Sequence, residues 1–171
     1  MTYLPSKTIE EALDRYGDRL YRLALVMMKR PMDAEDVVQE TFLRYLDKLG
    51  TFQDAEHEKA WLLKVTANLC RDALRVRSRH PQVGLDQVPE EGHVPQDRAV
   101  WDALMALPEK YRGVLVLHAV EGYRTEEIAK IIGKTSSAVK MRLSRGRAFW
   151  RSRGITRWLR PAAERPIVWR R

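Results

Sequence analysis

Cysteine is almost absent from this sequence, in which Cys70 stands alone among 171 residues. One cysteine can form neither an internal disulfide nor a cysteine-based zinc site. The four histidines are scattered and lack the spacing of metal ligands. Because Cys70 falls within an amphipathic segment, a small core residue is a simpler interpretation than a nucleophile. We therefore expect no metal and no cofactor.

Long apolar runs are also missing. The longest, such as LALVMM at 23–28, fall far short of the ~20 residues that cross a bilayer. The N-terminal segment is acidic and polar, unlike a signal peptide. These features predict a cytoplasmic protein without direct membrane insertion.

Strand-like alternation and catalytic sets are absent as well. Charged residues make up 32% of the chain and aromatic residues 8%, which suits a solvent-facing helical protein. The sequence shows no pattern typical of a Ser/His/Asp triad and no glycine-rich phosphate-binding loop. It also shows no pair of carboxylates in a recognisable catalytic site. The sequence thus predicts an all-α protein that is not an enzyme.

Acidic residues are nearly missing from the C-terminal segment. The segment from Lys140 to Arg171 contains eleven basic residues and a single acidic residue, Glu164. The net charge of that segment is +10, whereas the net charge of the whole chain is +8, so the residues before the segment have a net charge of −2. Positive charge concentrated on a helix that can enter a groove is typical of nucleic-acid binding.

A break in the helical pattern divides the chain. Residues 81–96 contain three prolines and two glycines, which preclude a regular helix. We predict two small helical domains, 5–80 and 97–154, joined by a flexible Pro/Gly linker, the second containing a helix-turn-helix. A basic tail, 155–171, follows; a disordered arm is favoured over a phosphate clamp or a docking peptide.

Three or four helices are predicted in the first domain, and three of them run over roughly 8–29, 33–49 and 59–77. Asp33 is predicted to cap the N-terminus of the second and Gly50 its C-terminus. The residues expected to face inward on the three helices are Leu13, Tyr16, Leu20, Leu23, Met27, Val38, Phe42, Tyr45, Leu49, Leu62, Val65, Leu69 and Val76.

Four helices are predicted in the second domain, at roughly 97–107, 109–120, 125–132 and 136–153. The last two have helix-turn-helix form, with the turn at Gly133 and a cap at Thr135 or Ser136. The residues predicted on the inner face of the helix-turn-helix are Ile128, Ala129, Ile132, Val139, Leu143 and Gly146. The positions that would contact base edges and phosphates are Lys140, Met141, Ser144, Arg145 and Arg147.

The alternative is an ordinary helical hairpin with a solvated basic face. Solvated helices usually mix charges of both signs, whereas the segment 136–153 contains no acid. That bias favours a DNA-binding face.

A second candidate surface lies on the predicted helix 59–77. Its residues are spaced 3, 4, 3 and 4, so they share one face. An aromatic ring, an amide and three cations in line suit unpaired bases and phosphates. For the aromatic residue taken alone, burial in the core is the favoured alternative. The set comprises Trp61, Lys64, Asn68, Arg71 and Arg75.

The helix at 33–49 has an acidic beginning. The helix dipole accounts for Asp33, Glu35 and Asp36, but Glu40 lies beyond its reach. Acids at this position would repel DNA, so Glu40 indicates either no partner or a basic protein partner.

Together these segments resemble bacterial sigma factors. DAEDVVQETFLRYLDKL (33–49) and AWLLKVTANLCRDALR (60–75) resemble their second conserved region, and ALPEKYRGVLVLHAVEGYRTEEIAKIIGKTSSAVKMRLSRGR (106–147) resembles their fourth. With no third region between them, the arrangement is similar to the extracytoplasmic-function (ECF) group of the sigma-70 family. The resemblance covers about residues 8–153.

The resemblance implies partners and site residues. It implies that the helix 33–49 docks on core RNA polymerase through Asp36, Gln39, Glu40 and Leu43. It also implies −10 promoter opening by the segment 52–75. Asn68 matches a family asparagine there, and Phe52, Trp61, Lys64, Arg71 and Arg75 are assigned with it.

In the second domain the resemblance implies −35 recognition by Lys140, Met141, Ser144, Arg145 and Arg147. Met141 departs from the small polar residue often found there, so we expect an apolar contact, such as to a thymine methyl group. The family also implies an anti-sigma factor as a partner.

Two other functions compete with this interpretation. A stand-alone helix-turn-helix regulator would bind a palindrome without polymerase, and leaves Glu40 and the stripe from Trp61 to Arg75 unexplained. An RNA-binding or nucleic-acid-processing enzyme would, for processing, need a metal or nucleophile set that the sequence lacks.

Overall fold

The computed structural model describes residues 4–80 and 98–155, and all the regular secondary structure within them is α-helical. The seven helices of these ranges confirm the all-α class. The chain divides into two compact units, Met1–Val88 and Pro89–Arg171. The predicted linker, 81–96, and the predicted tail beyond residue 155 lie outside the described residues.

The first unit is a bundle of three helices, α1 (Ile9–Met28), α2 (Pro31–Leu46) and α3 (Ala55–Arg79), each packed against the other two. Their apolar faces form one core, which drives folding of the unit because it removes that surface from water. The larger buried side chains are Tyr16, Leu20, Leu23, Leu25, Met28, Phe42, Tyr45, Leu62 and Leu63.

Two predicted caps of α2 were wrong. The helix begins at Pro31, with Arg30 as its N-cap; proline suits this position because the first helical N–H needs no partner within the helix. Asp33 instead lies in the first turn, with its Oδ2 3.3 Å from Arg77 Nη1 of α3. The helix ends at Leu46 with Asp47 as its C-cap, so Gly50, at φ +74°, belongs to the following turn.

The start of α3 also differs from the prediction. Asp54 caps the helix by accepting a hydrogen bond from His57 N at 2.8 Å, which moves the start from 59 to Ala55. At the other end Val76 is 59% exposed rather than buried, because α3 continues there past the core. Leu13 of α1 is likewise exposed.

The second unit contains α4 (Arg98–Ala106), α5 (Glu109–Ala119), α6 (Thr125–Ile132) and α7 (Ser136–Ser152). Helix α5 packs on both α6 and α7. Trp150 Nε1 donates a hydrogen bond to the Ala103 carbonyl at 2.8 Å, which joins α7 to α4.

The helix-turn-helix is confirmed in its details. Gly133 makes the turn at φ +63°, a left-handed conformation that glycine adopts readily. Thr135 caps α7 by accepting a hydrogen bond from Ala138 N at 3.1 Å. At Gly146 a Cβ atom would lie only 2.9 Å from Leu115 Cδ1, so glycine permits the close approach of α7 to α5. The predicted inner residues are buried: Ile128, Ala129, Ile132, Val139, Leu143 and Gly146.

None of the helices formed by residues 4–80 and 98–155 combines the length and the apolar character that crossing a bilayer requires.

Candidate nucleic-acid interface

The outer face of α7 carries the predicted base-contacting residues. Lys140, Met141, Ser144 and Arg145 are all exposed, whereas Arg147 is partly buried. Burial of the opposite face against α5 and α6 holds these side chains outward on a rigid helix. The face offers three cations and no carboxylate, which is the charge distribution that a phosphate backbone requires.

An open groove flanks this face. Lys140, Ser144 and Arg147 of α7 line one side, and His118 and Thr125 contribute from α5 and α6. The His118 ring is held in place by contact of its Nδ1 with the Tyr123 carbonyl at 3.0 Å. The cationic surface therefore extends from the helix into the groove beside it.

The predicted stripe on α3 is also brought together. Lys64 and Arg75 are exposed, and Trp61, Asn68 and Arg71 are partly buried. Arg75 Nη1 lies 3.8 Å from Asp72 Oδ1 at the surface, where such pairs contribute little. Trp61 was expected, when taken alone, to be a core residue; instead it is partly exposed.

Asn68 has a defined orientation within this stripe. Arg71 donates a hydrogen bond to Asn68 Oδ1. Because a guanidinium carries only donors, the amide oxygen must face it. The amide NH₂ of Asn68 is then the group available to an external acceptor, such as the edge of a base.

Three aromatic rings adjoin the N-terminal end of the stripe. The Tyr45 and Phe52 rings are stacked, with centroids 5.9 Å apart and planes 7° apart. Trp61 lies 5.7 Å from Phe52 and 6.3 Å from Tyr45. Tyr45 is buried, whereas Phe52 and Trp61 are partly exposed, so the two outer rings rest on the inner one.

Glu58 is a buried carboxylate that the sequence interpretation missed. It is 0% exposed and accepts hydrogen bonds from Ser6, Tyr16 and Tyr45. Burial raises the pKa of Tyr16 to about 12 and that of Tyr45 further above its ordinary value, and the Glu58 hydrogen bond adds to both shifts. In the sequence Glu58 is indistinguishable from the surface acids that favour a first helical turn.

The predicted protein-docking residues share the outer face of α2. Asp36, Gln39 and Leu43 are exposed, and Leu43 reaches 61%. Glu40 Oε1 accepts a hydrogen bond from Arg44 Nε at 2.9 Å within the same helix. Both side chains of this pair are about half exposed, so Glu40 can exchange Arg44 for another cation at little cost.

Two apolar residues extend this face beyond the predicted set. Met32 is 65% exposed and Leu46 is also exposed, at helical spacings of four before Asp36 and three after Leu43. Exposed large apolar side chains aligned with acids indicate a protein-binding surface. Met32 lies outside the bounds predicted for α2, 33–49, whereas Leu46 lies within them and only its exposure was unforeseen.

Comparison with known proteins relates these surfaces to one family. Residues 12–80 match the model of sigma-70 region 2, and residues 97–149 match that of sigma-70 region 4. The ECF RNA polymerase sigma factor SigM of Mycobacterium tuberculosis is 30% identical over 143 residues, covering 81% of this chain and 73% of SigM. The chain belongs to the ECF sigma factor family.

Other ECF sigma factor comparisons agree. SigE of Mycolicibacterium smegmatis is 34% identical over 150 residues, which cover 81% of this chain but only 58% of SigE. The sigma factor RpoE of Bartonella quintana, solved in complex with the anti-sigma factor NepR, superimposes with a TM-score of 0.69 at 25% identity. That match covers 90% of this chain and 98% of RpoE.

The region 2 match contains both the α2 face and the α3 stripe of this ECF sigma factor, and the region 4 match contains the outer face of α7. The predicted docking face and the two predicted cationic faces thus lie on different helices. Asp36 and Glu40 belong to the face on α2, whereas the predicted faces on α3 and α7 carry Lys and Arg side chains.

Proposed function

We propose that this chain binds core RNA polymerase, recognises −10 and −35 promoter elements and promotes transcription initiation. The observation that carries the proposal is the separation of charge within the first unit. One helix presents acids and exposed apolar side chains, and the next presents an aromatic and cationic stripe. A DNA-binding module alone has no use for the first surface.

Polymerase docking is assigned to α2. Asp36, Gln39, Glu40 and Leu43 form its centre, and Met32 and Leu46 extend it. The alternation of acids with exposed apolar groups suits a basic helical partner, since charge complementarity supplies specificity and buried apolar area supplies affinity.

Opening of the −10 element is assigned to the start of α3 and the loop before it. Phe52 and Trp61 offer ring faces to unpaired bases, and stacking contributes ~1–3 kcal/mol per base. That gain can offset the few kcal/mol of flipping a base out of the duplex. Asn68 then presents its NH₂ group to a base edge, while Lys64, Arg71 and Arg75 neutralise phosphates.

Recognition of the −35 element is assigned to α7 in the major groove. Lys140, Ser144 and Arg145 supply polar contacts, Met141 an apolar one, and Arg147 a phosphate contact. The polymerase performs the chemistry of RNA synthesis, and this chain directs it to promoters and opens the strands in the cytoplasm. An anti-sigma factor as partner is supported by the likeness to RpoE in its complex with NepR.

Reconstitution with core polymerase tests the function. The holoenzyme should yield promoter-dependent run-off transcripts from duplex genomic fragments, with permanganate-reactive thymines near −10. The chain alone should melt no DNA. Absence of promoter-dependent transcripts across a genomic library would refute the proposal, and binding of a palindrome without polymerase would favour a stand-alone regulator.

Arg145→Ala should reduce discrimination at the −35 element. Loss of one good side-chain contact to a base costs about 1–3 kcal/mol, at least about five-fold in the preference for intact over scrambled −35 sequence. The measurement is holoenzyme binding to promoters recovered by run-off sequencing, with that element intact or scrambled.

Arg98→Ala is the matched control, because it removes the same charge from an exposed position on α4 of the same unit. Core polymerase affinity should be unchanged in both variants. An equal loss of core affinity in Arg145→Ala would show that α7 has another role.

A further inference from the structure

We infer that Tyr45 and Glu58 are positioning residues for promoter opening, which rests on the proposed function of the Phe52 and Trp61 rings. The buried Glu58 carboxylate holds the Tyr45 phenol, and the Tyr45 ring supports the two outer rings that would stack on unpaired bases. Neither residue would touch DNA itself.

Glu58 joins three parts of the first unit at one point. The Ser6 backbone N–H lies 3.0 Å from each carboxylate oxygen, and the Ser6 hydroxyl is 3.2 Å from Oε2. Tyr16 of α1 donates its hydroxyl to Oε2 at 2.8 Å, and Tyr45 of α2 donates its own to Oε1. Arg15 Nη1 adds a charge 3.8 Å from Oε2. The carboxylate therefore has donors on both oxygens, as a buried charge requires.

Tyr45 is the member of this network whose ring packs on the candidate site. Tyr45 combines a hydroxyl anchored on Glu58 with a face stacked on Phe52 at 5.9 Å. Phe52 lies in the loop between α2 and α3, outside either helix, so helical hydrogen bonds do not fix its position. The ring behind it is therefore the element that holds the Phe52 face toward Trp61, 5.7 Å away.

A preformed stacking surface improves binding because the ordering of its side chains precedes ligand contact. If the Tyr45 ring loses its anchor, the outer rings must be ordered during strand opening instead. The free-energy cost of ordering the rings then slows strand opening. Docking on polymerase through α2 is unaffected, as are duplex contacts through α7.

Tyr45→Phe and Tyr16→Phe form a matched pair for the test. Each removes one hydroxyl that donates to the same buried carboxylate. Only the Tyr45 ring belongs to the stack with Phe52 and Trp61. Opening rates are measured by permanganate reactivity or base-analogue fluorescence on a duplex promoter, per holoenzyme formed, so that differences in folding yield do not enter.

We expect Tyr45→Phe to slow opening about three- to ten-fold and Tyr16→Phe less than about two-fold, since only the former releases a ring of the stacking surface. Glu58→Gln should slow opening like Tyr45→Phe, because the amide NH₂ replaces one acceptor. Core polymerase affinity and binding to the −35 duplex should match the wild type in all three variants.

Equal slowing by Tyr45→Phe and Tyr16→Phe would overturn the inference, because it would reflect general loosening of the buried network. Wild-type opening by Tyr45→Phe would also overturn it. Trp61→Ala distinguishes failure of the proposed function from failure of the inference. If Trp61→Ala opens promoters at the wild-type rate, the proposed role of the rings fails, and the inference fails with it. If Trp61→Ala opens promoters slowly while Tyr45→Phe and Tyr16→Phe open them at equal rates, only the inference fails.

Discussion

Asn68→Asp is expected to slow promoter opening by on the order of 100-fold, about 3 kcal/mol, because it reverses the polarity of the group that faces the base. A carboxylate can still accept the hydrogen bond from Arg71, so the local fold is retained. The outward NH₂ donor becomes a charged acceptor, which repels base acceptors and phosphates alike. Opening of a duplex promoter by the reconstituted holoenzyme is the measurement.

Asn68→Ala is the companion variant, since it removes the donor without adding charge. It should slow opening less than Asn68→Asp does. Wild-type opening by Asn68→Ala would show that the amide makes no specific contact.

Glu40→Lys is expected to weaken binding of core polymerase by more than about 30-fold, since breaking a hydrogen-bonded interfacial charge pair costs about 2–5 kcal/mol. The substitution also places a cation one helical turn from Arg44, which turns an attractive pair into a repulsive one. Titration of labelled core polymerase with the purified variant gives the affinity directly.

Glu10→Lys makes the same reversal at an exposed position of α1 and should bind core polymerase like the wild type. Restored affinity in high salt is not expected for Glu40→Lys, because screening removes repulsion without rebuilding the hydrogen bond. Unchanged association of Glu40→Lys would eliminate α2 as the docking face.

The helix-turn-helix was predictable because its determinants are local. A glycine at the turn, a threonine cap and apolar residues at helical spacing all lie within residues 125–147. The same local rules misplaced both ends of α2. Pro31 can end one helix or begin the next, and Asp33 looks like a cap until Arg77 of α3 is known to lie 3.3 Å away.

The candidate site was only partly accessible from the sequence. The spacing of Trp61, Lys64, Asn68, Arg71 and Arg75 placed them on one face, which the structure reproduces. Their roles, like those of the α2 and α7 residues, stay predictions for the variants above. Met32 and Leu46 escaped notice because exposure of an apolar side chain depends on where neighbouring helices end.

The sequence by itself determined the all-α class, the helix-turn-helix and the concentration of cations on α7, because helical periodicity, capping and charge are properties of neighbouring residues. Only the tertiary structure decided that Glu58 is buried and that Tyr45, Phe52 and Trp61 meet. Burial of a charge depends on donors from Ser6, Tyr16 and Tyr45, which lie up to 52 positions away along the chain. Packing alone brings such distant groups together.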